Sequence, residues 1–181
     1  MLTSNYYKLK GYFEIHSNTQ DSNNHTVDIG IKDTTGSSVS IVDIANNYAT
    51  NVAYNYSMKT CLNPILGNAG FDPQLSDYNI GSPLNIPIEY TFLSTGEADK
   101  ITTKFIITGT NNTGSSITIT EIGIAKRVSV MISQGSLYIP GDPTTSSSGC
   151  PLVLLDHTLL ESPIQVENGN NFSVTFDWQE L

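Results

Sequence analysis

Strict alternation of apolar and polar residues near the C-terminus is the feature that most constrains the fold of this chain. From Asn171 to Trp178, every even-numbered residue is apolar and every odd-numbered residue is polar. Successive side chains of a β-strand point to opposite faces, so this period of two predicts a strand with one buried face. Trp178 continues the apolar parity, which places it in the core rather than at a ligand site.

Similar patterns recur along the chain, separated by turn-forming residues. Alternation predicts strands at Val27–Ile31, Val39–Val42, Ile86–Phe92, Ile101–Ile107 and Ile117–Thr120. Gly11–Ile15 is a further candidate strand, and the apolar run Pro151–Leu155 predicts a strand buried on both faces. Pro87 has no N–H to donate, so its strand lies at a sheet edge or begins there. Roughly eight to ten short strands predict an all-β fold, an antiparallel, jelly-roll-like β-sandwich that forms a single domain over residues 1–181.

Two local patterns refine this prediction. The apolar parity changes within Ile117–Ile124, from odd to even positions. A shift of one residue turns side chains to the other face, so the pattern predicts either a bulge near Glu121 or a strand covered on both faces. Near the C-terminus, Pro163–Val166 predicts a short strand before the Glu167–Asn170 turn. With the alternating strand that follows, it predicts a β-hairpin.

Residues 45–83 fit the strand pattern least. Residues 46–58 show no clean period, and residues 63–83 are rich in Pro and Gly. Long irregular segments in compact domains are usually functional or disordered. We therefore predict either a long ordered loop or an arm that packs on a neighbouring subunit. The candidate interface residues in it are Tyr48, Tyr54, Tyr56, Phe71, Asp77 and Tyr78. A second irregular stretch, at 141–149, predicts a surface loop.

The charge balance argues against nucleic acid as a partner. The formal net charge is −9, and Lys and Arg together number 8. Binding to phosphates requires a basic patch, so no direct contact with nucleic acid is expected. No apolar run approaches the roughly 20 residues of a membrane span, and the N-terminal residues lack the apolar segment of a secretory signal. We therefore expect no membrane insertion, and synthesis in a cytoplasm.

Residue types that carry catalysis are sparse and scattered. The histidines are His16, His25 and His157. No Ser lies in a G-x-S-x-G setting, and adjacent residues of a strand point to opposite faces, so Asp156 and His157 are not expected to orient each other. Cys61 and Cys150 belong to no metal-binding pattern, and free buried thiols are favoured over a disulfide. The sequence predicts no catalytic residue, metal site or cofactor, and the chain is not expected to be an enzyme.

The tyrosines leave a second function open. Aromatic side chains can form a platform for sugars, and the candidates are Tyr6, Tyr7, Tyr48, Tyr54, Tyr56, Tyr78 and Tyr138. Most are expected in sheets or interfaces, so a carbohydrate- or receptor-binding β-sandwich module is the alternative function. Asp72 and Asp77 lack the ligand spacing of an EF-hand, so a calcium site is not favoured.

Three stretches, in this order, resemble one family of phage proteins. Gly67–Leu84 (GNAGFDPQLSDYNIGSPL) resembles the "G-x-G … p-x-x-x-D-Y-x-L-x-S-P" segment of small tailed-bacteriophage virion proteins. Ile117–Ile124 (ITITEIGI) resembles their "I-T-I-T-E-I-G-L" strand. Leu154–Phe176 is similar to their closing "L-L-A-R-x-V-L-x-S-P-I-x-V-x-x-G-x-x-x-T-V-T-Y" segment. The chain departs from this pattern at Asp156 and His157, where the family carries Ala and Arg.

The resemblance covers residues 67–181 and implies a function in assembly. It implies a β-sandwich structural protein of the virion: a head–tail connector or collar ring, a tail subunit or a capsid decoration protein. Such a protein is made in the host cytoplasm, forms a homo-oligomer and binds other virion proteins, namely portal, connector, capsid or tail subunits. If the Arg of the family makes a pair between subunits, this chain must replace that pair.

Overall fold

The computed structural model describes residues 1–16, 25–43, 62–97, 100–128, 130–131, 137–138 and 151–180. Within these ranges the chain forms one α-helix and ten β-strands, and every strand pairing is antiparallel. The predicted all-β class with antiparallel sheets is therefore confirmed. Helices long and apolar enough to cross a membrane do not occur among these residues.

The helix, α1, spans Ser4–His16. Thr3 caps its N-terminus, because the backbone N–H of Tyr6 donates to the Thr3 hydroxyl at 3.4 Å. Tyr6 and Leu9 lie three positions apart and are fully buried, so one helix face packs into the core. The prediction of a strand at Gly11–Ile15 was wrong, because the capped helix continues through that short segment.

The first two strands form where the alternation predicts strands, and they pair as a local hairpin. β1 (His25–Lys32) pairs with β2 (Ser38–Asp43). Asp33 shapes the turn between them, since its Oδ1 accepts from the N–H groups of Thr35 and Ser37 at 2.9 and 3.0 Å. Thr34 and Thr35 of this turn line a polar groove on the surface.

One three-stranded sheet has the order β10–β5–β4. Its strands are β4 (Ile88–Glu97), β5 (Lys100–Thr110) and β10 (Asn171–Glu180). β10 pairs with β5 along its whole length without a register shift. Phe172, Val174 and Trp178 are buried, which confirms the inward face predicted from the alternation. β4 begins directly after Pro87 and is an edge strand in this sheet, which confirms the position predicted for that proline.

The second three-stranded sheet has the order β3–β6–β9. Its strands are β3 (Leu62–Gly67), β6 (Ile117–Arg127) and β9 (Leu152–Val166). Two short strands, β7 (Val130–Met131) and β8 (Leu137–Tyr138), pair with each other.

The irregular segment is shorter than predicted. Residues 62–67 form β3, in which Leu62, Pro64 and Leu66 are buried alternately. Pro64 lacks an N–H, and an edge strand tolerates it because one side of the strand needs no donor. Residues 68–83 are irregular, as expected, and the strand predicted from Ile86 begins at Ile88. Residues 45–61 and 141–149 lie outside the described residues.

β6 runs through the centre of the second sheet and is covered on both faces. Every residue from Glu121 to Lys126 is buried. The pairing of β6 with β9 also shifts register between Ile119 and Glu121. The parity change in the sequence therefore reflects a bulge and double coverage together, and both predicted explanations are confirmed.

The two sheets and the helix share one hydrophobic core, which gives a sandwich-like arrangement. The core includes Phe105, Ile107 and Val174 of the first sheet, Ile119, Ile122 and Ile124 of the second, and Tyr6 and Leu9 of α1. The Tyr90 hydroxyl donates to the carbonyl of Leu62 at 2.9 Å and so links β4 to β3. The predicted jelly-roll connectivity stays a prediction.

The predicted C-terminal hairpin was wrong, because β9 and β10 lie in different sheets. Residues 167–170 carry the chain from one layer to the other, and the local turn signal does not show which layer the next strand joins. Buried Asn111 fixes this crossing. Its side-chain amide donates to the carbonyls of Ser115 and Val166, both at 2.8 Å, and its backbone N–H donates to the carbonyl of Asn170 at 2.9 Å.

Truncation of Phe105 to Ala is expected to lower the free energy of unfolding by about 3–5 kcal/mol, because the ring is fully buried between the sheets. Ile106 is the matched control, since it is the next residue and points to the exposed face. Ile106→Ala should cost under about 1 kcal/mol. Chemical denaturation measures both values, and equal losses would contradict the assignment of the two faces.

Candidate functional site

The candidate site lies where the irregular loop after β3 crosses the second sheet. Glu121 belongs to β6 and His157 to β9, and His157 stands opposite Gly123 in the antiparallel pairing. Glu121 lies two residues from Gly123, so both side chains project from the same face of the sheet. The 68–82 loop covers this face and brings Asp77 to the imidazole ring of His157. We call Asp77, Glu121 and His157 the carboxylate–histidine cluster.

Glu121 is a fully buried carboxylate whose oxygens are all engaged. Its Oε1 accepts from the backbone N–H groups of Ala69 and Ser82 at 3.0 and 3.1 Å. Its Oε2 accepts from the N–H of Gly81 at 3.2 Å and lies 2.8 Å from Nε2 of His157. One side chain thereby holds both ends of the 68–82 loop against the sheet, and the buried charge is compensated by hydrogen bonds.

Two glycines make this close packing possible. A Cβ at Gly67 would lie 2.5 Å from Oε1 of Glu121. A Cβ at Gly123 would lie 2.7 Å from Cγ2 of Ile80, which packs from the loop onto β6. Real Cβ atoms do not approach other atoms this closely, so the loop needs glycine at both positions to reach the sheet.

His157 lies between two carboxylates with almost no access to solvent. The exposed fraction of its side chain is 3%, its Nδ1 lies 2.7 Å from Oδ2 of Asp77, and its Nε2 faces Glu121. Ionised carboxylates only accept hydrogen bonds, so both contacts are hydrogen bonds when the ring carries a proton on each nitrogen. The cluster then contains one positive and two negative charges.

Asp77 also shapes the loop that carries it. Its Oδ2 accepts from the backbone N–H of Gln74 at 2.8 Å, and its own N–H donates to the Gln74 carbonyl at 3.1 Å. The exposed fraction of its side chain is 22%, so one side of the carboxylate reaches water. The contact between Asp77 and His157 therefore joins a defined turn to the sheet at the solvent boundary.

The environment lowers the pKa of Glu121 from its ordinary value of 4.5. Desolvation by burial is the largest influence and raises the pKa, but the combined hydrogen bonds outweigh it. In order of size, they come from the N–H of Ala69, the N–H of Ser82, the ring of His157 and the N–H of Gly81. The carboxylate is therefore ionised at neutral pH despite its burial.

Asp156 and His157 bind different groups, as predicted for neighbours in a strand. Asp156 accepts from the hydroxyl of Thr158 at 2.6 Å and lies 3.4 Å from the amino group of Met1. The two side chains do not orient each other. Asp156 therefore takes no part in the carboxylate–histidine cluster.

The structure brings one predicted site residue, Asp77, into the cluster. Phe71 and Tyr78 lie on the same loop with exposed fractions of 68% and 42%, and the ammonium group of Lys32 lies 5.6 Å from the centre of the Tyr78 ring. The other predicted interface residues, Tyr48, Tyr54 and Tyr56, lie outside the described residues.

Sequence reasoning missed the roles of Glu121 and His157. One signal was present for Glu121, because a charged residue within the otherwise apolar and Thr-containing run Ile117–Ile124 is expected to be buried and therefore to need partners. His157 had no comparable local signal, since its partners lie far away in sequence.

A polar groove borders the cluster on its solvent side. Its volume is about 520 Å³, and it is lined by Thr34, Thr35, Ser76, Asp77, Tyr78, Asn79, Ile80 and Gly81. A second groove of about 700 Å³ lies at the end of the first sheet, where Pro87, Gly109 and Phe172 contribute to its lining. Among the described residues, no group of His, Cys, Asp and Glu is arranged as a metal site.

The geometry of the cluster is that of a structural clamp. A general base needs a free nitrogen lone pair within reach of a substrate proton, and both nitrogens of His157 already face carboxylates in a buried position. Known proteins offer no further guide: no family model, no curated protein and no solved structure matches this chain.

Replacement of Glu121 by Gln is expected to lower the free energy of unfolding by about 2–4 kcal/mol at neutral pH, because a neutral amide accepts weakly and turns its own NH₂ toward donors. The contribution of Glu121 is fully present above its ordinary pKa of 4.5 and is lost as the pH falls through the lowered folded-state value. The difference between wild type and variant should therefore narrow in acid.

Chemical denaturation at neutral and acid pH measures this difference. Glu161→Gln is the matched control, since Glu161 is an exposed residue of β9. It should change stability by no more than about 0.5 kcal/mol. If Glu121→Gln is as stable as this control at neutral pH, the Glu121 carboxylate contributes nothing to the free energy of unfolding.

Proposed function

We propose that this chain is a structural subunit of a tailed-bacteriophage virion, made in the host cytoplasm, that acts through protein–protein interfaces. In the particle it would serve as a head–tail connector or collar ring, a tail subunit or a capsid auxiliary protein. The observation that carries this proposal is the meeting point of the three stretches that resemble phage virion proteins. Each stretch supplies one member of the carboxylate–histidine cluster: Asp77, Glu121 and His157.

The contact between residues from all three stretches gives the resemblance a structural basis. The three stretches are far apart in sequence, yet the Asp of the first, the Glu of the second and the residue in the Arg position of the third are in direct contact. A protonated His157 supplies a positive charge where the pattern has Arg. Its partners lie within the same chain, so the departure from the pattern does not require a compensating contact between subunits.

Exposed apolar side chains on the loop supply surface for assembly. Phe71, Leu75 and Tyr78 are all exposed on the 68–82 loop, whereas Glu121 and His157 of the cluster are buried and hydrogen-bonded. Large exposed aromatic side chains are typical anchors of protein–protein interfaces. The loop is therefore a suitable contact region for a neighbouring virion protein.

The edge strand β4 supplies a second contact region. Phe92 and Leu93 are exposed at its centre on opposite faces, and Ile106 of β5 is a diagonal neighbour of Leu93 on the outer face. Natural proteins protect free edges with Pro, charges or covering segments. β3 carries Pro64, and part of β9 is covered by the bridge of Leu2 to Asp156. Within the described residues the centre of β4, around Phe92 and Leu93, has no Pro, charge or covering segment, so we propose that a strand from another subunit adds there.

The alternative, a carbohydrate- or receptor-binding module, stays a prediction. Its natural location among the described residues is the polar groove beside Tyr78, where hydroxyl and amide groups adjoin an exposed aromatic ring. The apolar loop and edge surfaces favour the structural proposal.

Mass spectrometry of phage particles purified from lysates in which this chain is expressed is expected to detect it at a fixed ratio to the major capsid protein. A fixed ratio follows because a subunit of a symmetric ring or lattice is present in a defined number of copies. The same measurement on empty and filled particles separates proteins of the particle from soluble contaminants. Loss of the chain on repeated purification of intact particles would end the proposal.

Replacement of Leu93 by Lys is expected to weaken assembly by about tenfold or more, because a large exposed apolar side chain is lost and a charge is placed in the interface. Thr175→Lys is the matched control, since Thr175 is exposed on the outer face of β10, the opposite edge of the same sheet. Light scattering on the purified full chain and incorporation into particles measure the effect. Equal assembly of both variants would exclude β4 as a contact region.

A further inference from the structure

We propose that the carboxylate–histidine cluster is a pH-controlled latch, in which protonated His157 holds the turn that contains Asp77 and a singly protonated ring releases it. The inference concerns the 68–82 loop itself and does not depend on the proposed function. It rests on three distances: Nδ1 of His157 to Asp77 at 2.7 Å, Nε2 to Glu121 at 2.8 Å, and the N–H of Gln74 to Asp77 at 2.8 Å.

The two ring contacts cannot both survive loss of a proton. A neutral imidazole has one N–H and one lone pair, so one of its nitrogens faces a carboxylate oxygen without a hydrogen atom between them. At these separations two acceptors repel each other. Deprotonation of His157 therefore breaks one of its two contacts and leaves the other intact.

The structure decides which contact breaks. Glu121 is fully buried and is held by three backbone N–H groups besides the ring, so it cannot move into water. Asp77 is partly exposed and sits on a surface turn, where water can replace the ring as its partner. The proton that remains is therefore retained on Nε2 toward Glu121, and Asp77 is the group that separates.

Separation of Asp77 affects the turn from residue 74 to 79. Its carboxylate organises this turn through the N–H of Gln74, and the turn is otherwise linked to the N-terminal segment by the N–H of Ser4 and the carbonyl of Leu75. The exposed side chains of Leu75 and Tyr78 lie on it. Protonation of one buried ring thus controls the position of two surface-exposed apolar groups.

Other charges near the cluster are already paired. Asp156 follows on the same strand and pairs with the amino group of Met1, which also donates to the backbone carbonyl of His157. Lys32 lies over the ring of Tyr78, on the solvent side of the loop. From the elements packed against it, the ring of His157 therefore faces Asp77 and Glu121.

NMR on the isotope-labelled full chain tests the latch. The ring signals of His157 and the exchange protection of the loop amides are followed from about pH 5 to about pH 9, which brackets histidine titration. As the ring loses its second proton, protection of the Gln74 and Asp77 amides should fall by about tenfold or more, because the turn that holds them loses its charge-assisted hydrogen bond to His157. The amides of Ala69, Gly81 and Ser82 should stay protected, since Glu121 keeps them.

Three variants separate the latch from a general effect of pH. His157→Arg carries a permanent charge, so the pH-dependent fall in protection of the Gln74 and Asp77 amides (the pH step) should disappear. Asp77→Asn should also abolish the pH step, because the Asn side-chain amide can donate to Nδ1 of a neutral ring and keep the contact. Asp72→Asn lies exposed on the same loop and should keep the wild-type step. If His157→Arg does not fold, the comparison of the near-isosteric Asp77→Asn with Asp72→Asn tests the latch.

Two results would overturn the latch. In one, wild-type Gln74 and Asp77 amides keep their protection while the His157 ring titrates, or the ring shows no titration over the range. In the other, Asp77→Asn and Asp72→Asn show the same pH step.

Discussion

Burial of the Glu121 carboxylate is the constraint on which the arrangement of the second sheet and its covering loop depends. An ionised carboxylate taken out of water is strongly unfavourable unless hydrogen bonds replace its hydration. Here three backbone N–H groups and one imidazole ring do so. Because those donors belong to the loop and to β9, satisfying this single charge fixes the loop on the sheet and the sheet edge beside it.

Double coverage of β6 is the packing counterpart of this constraint. One face of the strand contributes Ile122 and Ile124 to the shared core. The other face is closed by the 68–82 loop instead of by a further layer of secondary structure. A loop can seal a sheet only if its own polar backbone groups find partners, and Glu121 provides them. The buried carboxylate and the covering loop thus depend on each other: the loop N–H groups compensate the charge, and the carboxylate satisfies those N–H groups.

Much of the fold could be predicted from local patterns, and the failures have a common cause. The alternation in β10 specified a strand and its inward face, and the alternation in β1 specified a strand, because a period of two is a local property. The assignment of β9 and β10 to one hairpin failed, since which layer a strand joins depends on distant pairing partners. The prediction of a strand at Gly11–Ile15 failed because Thr3, eight residues before Gly11, caps a helix that continues through this segment. Of the three members of the cluster, the sequence predicted only Asp77 as a site residue, since the members come from three segments that meet after folding.

The passage of the chain from one layer to the other after β5 and again after β9 bears on how the molecule reaches its native state. Each three-stranded sheet joins strands that are distant in sequence: β10 pairs with β5 in the first, and the second unites segments near residues 62–67, 117–127 and 152–166. Closure of such long loops costs entropy before any contact compensates for it, so folding kinetics should be slow for a chain of this size. The sheet that carries Glu121 cannot be completed until β9 has been synthesised. Nascent chains that lack β9 would expose β6 to other strands, so this protein is expected to need protection from aggregation during synthesis.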